Sequence, residues 1–197
     1  MSKTISMSIL LSFSFVIMLR TQAQAHYIYT SSGYLYHSFQ CKADLQGVAN
    51  PDTKPAEAEC EVQVSQIDIL CLNPANRDVQ PGSAAVQSTI VNTVQLTPEA
   101  LTGKGKASTD IIVPDGALLD PQYCVNPNWI PVDVIIREAT ATQNIYKCTG
   151  DDPTPCDVRE LASTTESLCV LPAEFDFDNP PVVGETPYDC TEVFSAH

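Results

Sequence analysis

Bases are scarce in this sequence: its 197 residues hold 10 Lys and Arg against 24 Asp and Glu. A formal charge of −14 meets nucleic acid and anionic lipid only with repulsion, so neither is expected as a partner. No Cys-x-x-Cys occurs, which argues at once against zinc-ribbon, thioredoxin-like and haem-attachment chemistry. There is no Gly-x-Ser-x-Gly and no phosphate-binding loop. Histidine is limited to His26, His37 and His197, which leaves Ser-centred hydrolysis without a well-placed base. Glycine numbers only 8 while 44% of residues are hydrophobic, so collagen-like, coiled-coil and wholly disordered chains are excluded.

What is present begins with an export signal. Lys3 supplies a basic start, Ile5 to Leu19 an apolar stretch, and Ala23-Gln24-Ala25 the small residues of a cleavage site. Residues 1–25 therefore read as a signal peptide, and His26 becomes the first mature residue. No later segment approaches the length of about 18 apolar residues needed to span a bilayer. The mature chain is expected outside the membrane, in an extracellular or periplasmic space. Cys41, Cys60, Cys71, Cys124, Cys148, Cys156, Cys169 and Cys190 all lie beyond the signal. An even number of thiols in an oxidising compartment reads as four disulfides. The expected pairing joins Cys148 to Cys156 and Cys169 to Cys190, and uses the first four cysteines within the main domain.

Period-2 alternation dominates the mature chain. Leu35, His37, Phe39, Cys41, Ala43 and Leu45 share one parity and predict a half-buried strand over 34–45. In Glu59 to Leu72 the apolar parity slips between Val64 and Ile67, which predicts a β-bulge near Ser65. Val86, Ile90, Val94 and Leu96 form a third comb, and Ala107, Thr109, Ile111 and Val113 a fourth. Thr97 to Leu101 reads as a single capped helical turn between them. From Trp129 to Cys148 the parity changes near Arg137-Glu138, where a long strand should bend. Strands recurring at short intervals between Pro, Asn and Gly predict an all-β fold, an antiparallel β-sandwich of Ig-like or similar type spanning residues 26–148. Residues 149–197 are acidic, with Arg159 as their single base, and read as a disulfide-stapled extension with a short helix starting at Asp157.

Two segments echo each other: Cys71-Leu72-Asn73-Pro74 and Cys124-Val125-Asn126-Pro127. Each ends a strand sharply, because Pro removes a ladder donor and Asn tolerates turn geometry. Two ends of one design, each with a Cys, suit a crosslink across the sandwich. Together with Gln80-Pro81-Gly82, Leu96-Thr97-Pro98-Glu99 and the continuation Asn128-Trp129, they give residues 35–148 a resemblance to a loose group of secreted bacterial β-rich proteins without assigned activity. The resemblance implies a fold and an export route, and no catalytic residue comes with it.

Three side-chain groups are candidates for function. The amino group and imidazole of a mature N-terminal His26 suit Cu(II), with His37 as the nearest second imidazole. A hairpin over Ser31-Ser32-Gly33 sets His26 opposite Ser38 and parts the two imidazoles, and a one-residue change of register brings them together. The plain alternative for His37 is a buried, hydrogen-bonded core residue. Tyr27, Tyr29, Tyr34 and Tyr36 form an aromatic cluster suited to stacking on sugar rings or a partner protein. Glu174, Asp176 and Asp178 alternate with Ala173, Phe175 and Phe177, a pattern that puts three carboxylates on one strand face where calcium is accommodated. Like charge guarding an edge strand explains the same pattern. The expectation from the sequence is a secreted, non-enzymatic β-sandwich acting by surface contact on an extracellular protein or glycan. No cofactor is required. A copper protein using His26 and a carbohydrate-binding module using the tyrosines stand as alternatives.

Overall fold

A computed structural model describes residues 27–48, 55–96, 106–149, 156, 158–180 and 188–196. The signal segment, His26, the turn at 97–101 and Asp157 lie outside the described residues. Among the described residues nine strands form two antiparallel sheets packed face to face. β1 (Tyr27–Leu35), β2 (Ser38–Gln46), β5 (Ala107–Pro114) and β8 (Tyr188–Asp189) make a four-stranded sheet in the order β5-β2-β1-β8. The second sheet has the order β4-β3-β6-β7-β9. It contains β3 (Ala56–Leu72), β4 (Val79–Leu96), β6 (Ile130–Cys148), β7 (Arg159–Val170) and β9 (Thr191–Ala196).

Alternation places the core. Phe39, Cys41, Ala43 and Leu45 of β2 point inward, as do Ala58, Cys60 and Val62 of β3. The ladder between β3 and β6 shifts between Val64, opposite Ala139, and Gln66, opposite Glu138, so Ser65 is the bulged residue and both Val64 and Ile67 stay buried. A second shift, between Ile136 and Glu138, leaves Arg137 as the extra residue of β6 beside it. That bulge carries out the predicted bend: Val134 and Ile136 before it and Ala139 and Ala141 after it are all buried. Trp129 is partly buried against the core.

The register of the first hairpin differs from expectation. β1 runs unbroken through Ser31-Ser32-Gly33, and the turn is Tyr36-His37, with Leu35 paired to Ser38 and Tyr27 to Gln46. His37 takes the left-handed backbone region at φ 70°, which histidine enters more readily than most side chains. Ser31-Ser32-Gly33 reads as a loop because its residues are polar, yet Ser32 faces inward and finds polar partners there.

The acidic segment after Cys148 also differs. β7 lies between β6 and β9, and β8 joins the other sheet, so this segment is woven into both layers rather than appended to them. Arg159 and Glu160 open β7, and the helix expected from Asp157 gives way to that strand.

Four disulfides tie these elements. Cys41–Cys60 joins β2 to β3 across the core, and Cys71–Cys124 closes the largest separation, 53 residues. Cys148–Cys156 and Cys169–Cys190 hold the last third of the chain. The two echoed Cys-x-Asn-Pro segments are thus bonded to each other. They also share a turn: Asn73 Oδ1 accepts from Ala75 N at 3.0 Å and Asn126 Oδ1 from Asn128 N at 2.9 Å. Closing such loops stabilises the fold by about 2–4 kcal/mol each, in keeping with an oxidising compartment. Among the described residues no helix is long and apolar enough to cross a membrane.

Candidate functional site

The four tyrosines do not form one surface. Tyr27 opens β1 opposite Gln46, and Tyr29 is exposed opposite Asp44. Tyr34 has the other parity and is fully buried, its ring 5.2 Å from that of Phe39. Tyr36 sits at the hairpin tip with its ring 3.8 Å from His37. A stacking platform built from all four is therefore ruled out by the alternation of the strand. Of the copper pair, His26 lies outside the described residues, and Tyr27 and His37 lie at opposite ends of β1. Nine residues at about 3.4 Å each separate them by roughly 30 Å.

The carboxylates expected on one strand face are also dispersed. Residues 171–180 form turns, not a strand. Asp176 Oδ1 accepts hydrogen bonds from the backbone of Asn179 at 2.9 Å and of Asp178 at 3.0 Å. Those bonds, chiefly from Asn179, hold its carboxyl below the usual range. Phe175 and Phe177 pack against the core, with Phe175 edge-on to Tyr188 at 5.5 Å, so the alternation reflects an aromatic wedge. Glu174 and Asp178 face solvent. Among the described residues no three His, Cys, Asp or Glu side chains come together as a metal site, so the calcium expectation at Glu174, Asp176 and Asp178 fails.

What the fold does bring together is a polar cluster at the tip of the first hairpin. The His37 imidazole lies between two carboxylates: Nδ1 is 3.7 Å from Asp115 Oδ1, and Nε2 is 3.7 Å from Asp133 Oδ1. The Tyr36 hydroxyl donates to Asp133 Oδ2, and burial together with that bond pushes the phenol upward. Asp115 follows β5, and its backbone N–H donates to the His37 carbonyl at 3.2 Å. Its side chain is 3% exposed, and Oδ2 has no hydrogen-bond partner. Burial pushes the Asp115 carboxyl up to about 6; His37 opposes the shift and Asp133 adds to it. Neither aspartate stands out in the sequence: Asp115 reads as part of a Pro-Asp-Gly turn, and Asp133 as the outward residue of an apolar comb.

The broadest surface is the outer face of the five-stranded sheet. Glu57, Glu59, Glu61 and Gln63 of β3 lie beside Tyr146, Asn144, Thr142 and Thr140 of β6. Arg159 clamps one end of this face: its Nη1 donates to Glu57 and lies 3.5 Å from Glu59, while its guanidinium sits 4.3 Å above the Tyr146 ring. Toward the other end Leu168 and Val170 of β7 point outward, because Ser167 and Cys169 take the inner parity. Phe194 of β9 pairs with Glu166 and joins them on the outer face. Comparison of the chain with protein-family models, with curated proteins and with solved structures found no match.

Proposed function

We propose that this is a secreted, non-enzymatic β-sandwich that works by surface contact, as an adhesive, envelope-associated or structural component. Its contact surface is the outer, β9-bearing margin of the five-stranded sheet. The observation that carries this reading is the exposure of apolar side chains there: Phe194 is 50% exposed, Val170 51% and Leu168 39%, with Val193 at 58% beside them. Exposed apolar residues gathered in one place mark interaction surfaces more often than they mark indifferent ones. β9 is also the terminal strand of its sheet among the described residues, the position at which an extended partner segment adds to a sheet. The basic and apolar N-terminal segment and the four disulfides support export.

The test uses the intact, disulfide-bonded protein applied to the envelope or extracellular matrix of the cells that produce it. Retention is expected to saturate, and the pair Leu168→Asp and Phe194→Asp to abolish it at an unchanged melting temperature. Equal retention of the double variant overturns the reading.

A further inference from the structure

The outer face of the five-stranded sheet is creased where two bulges lie side by side. In the ladder between them Ser65 is the extra residue on β3 and Arg137 the extra residue on β6, and each bulge kinks its own strand. The crease opens two adjoining clefts of about 410 and 340 Å³, with Glu138 in the wall of both. Each lies at the small end of the range of roughly 300–1,000 Å³ that suits small ligands.

The lining decides what such a site can take. The larger cleft is lined by the amides of Gln63 and Gln87 and by Ser88, Thr89 and Thr140, with the side chains of Val64 and Val86 turned into the core. Amides and hydroxyls both donate and accept, so they match a ligand whose own groups do the same. Gln63 now donates to Glu61 at 2.8 Å, an exposed bond that a ligand hydroxyl replaces at little cost. Glu138 Oε1 accepts from Ser65 Oγ at 2.9 Å and keeps acceptor capacity to spare. The smaller cleft holds Arg137, but its charge is already engaged, with Nε 2.5 Å from Asp68 Oδ2 and Nη1 2.9 Å from the Pro172 carbonyl. Glu138 and Asp68 outweigh this one cation, so an anionic ligand is repelled. A purely apolar ligand finds no exposed apolar side chain in the larger cleft. A neutral, hydroxyl-rich molecule remains.

We propose that the crease binds a short uncharged oligosaccharide, with Gln63, Gln87 and Glu138 as its hydrogen-bonding residues. This rests on the outer face being the contact surface and names one class of molecule it contacts. The ligand's ring hydroxyls pair with the two amides and the carboxylate.

The experiment titrates the intact protein with neutral oligosaccharides of glucose, mannose, galactose and N-acetylglucosamine, followed by ligand-observed NMR and calorimetry. At least one series is expected to bind with a sub-millimolar Kd. The pair Gln63→Ala and Gln87→Ala, both at exposed positions, should weaken it about tenfold, the sum expected for two lost hydrogen bonds. Thr89→Trp, which fills the cleft, is a second variant should the first lose stability. Val125→Ala, at an exposed position outside the crease, should leave the Kd unchanged. Absence of binding by every series at millimolar concentration, or equal binding by the folded groove variants, overturns the proposal. If envelope retention is lost with Leu168→Asp and Phe194→Asp while no sugar binds, the oligosaccharide site falls and the contact reading survives.

Discussion

Between β2, β3, β5 and β6 the two sheets meet through Phe39, Val62, Ile67, Ile69, Ile111 and Ile136, all buried and apolar. Between β1 and β7 they meet through Thr30, Ser32, Ser163, Thr165 and Ser167, equally buried and all hydroxylic. The second half is not left unsatisfied. Thr30 Oγ1 donates to Thr165 Oγ1 at 2.8 Å, and Gln143 Nε2, from β6, donates to the Ser31 carbonyl at 2.6 Å and to Ser32 Oγ at 2.7 Å. Burial of small hydroxyls contributes little apolar area, so this side is held by direction rather than by area. Cys169–Cys190 supports it covalently, and the Cys190 N–H donates to the Ser32 carbonyl at 2.9 Å. One interior thus combines a greasy half that drives collapse with a hydrogen-bonded half that specifies which strands face each other.

The contrast is open to measurement. In the apolar half, Ile67→Ala removes a fully buried side chain and should cost about 4 kcal/mol of unfolding free energy in denaturant titrations. A loss below about 1 kcal/mol would mean that this half is not where the area-driven stability lies. At the hairpin tip Asp115 offers the opposite case, a buried polar group whose Oδ2 is unpartnered. Its carboxyl titrates near 6 in the folded chain and near 4 in the unfolded one. Below about pH 4 both states hold the proton. As pH rises the unfolded state releases it first, so stability falls between about pH 4 and 6 by up to ~3 kcal/mol and is level above that window. Asp115→Asn should remove this slope and gain on the wild type at pH 7 relative to pH 4. An unchanged difference between the two proteins across that range would place the Asp115 charge elsewhere. The polar half gives the smallest effect and the finest discrimination. Thr165→Val alone strands the Thr30 hydroxyl and should cost about 1–2 kcal/mol, while Thr30→Val with Thr165→Val should be close to neutral. A double variant as unstable as the sum of the singles would show that the two hydroxyls act separately.

The same contrast explains which parts of the fold are legible in the sequence. Apolar alternation announces its own inward face, so β2, β3 with its bulge at Ser65, β5 and the bend of β6 at Arg137 follow from parity. From Thr30 to Ser32 of β1 and from Ser163 to Ser167 of β7 the inward residues are Thr and Ser, which look like solvent-facing residues until their partners across the sandwich are known. That is why Ser31-Ser32-Gly33 reads as a turn and why the segment after Cys148 reads as an extension. The candidate sites are less legible still. Tyr34 and Tyr36 are close in sequence but diverge into core and tip. Asp115 and Asp133 are 18 positions apart in sequence, and only the pairing of β2 with β5 and the packing of β6 bring them to His37. The crease needs two bulges on adjacent strands, and the sequence shows each alone without showing that they are neighbours.

Placing the wettable seam between the first strand and the seventh also bears on how the molecule is made. A polypeptide delivered from its amino end can assemble the oily layers early, while β1 waits for a mate that arrives more than a hundred positions later. Water is an acceptable stand-in for that mate, since hydroxyls left in solvent are neither sticky nor strained. The flank whose partner strand emerges later is the flank that tolerates delay.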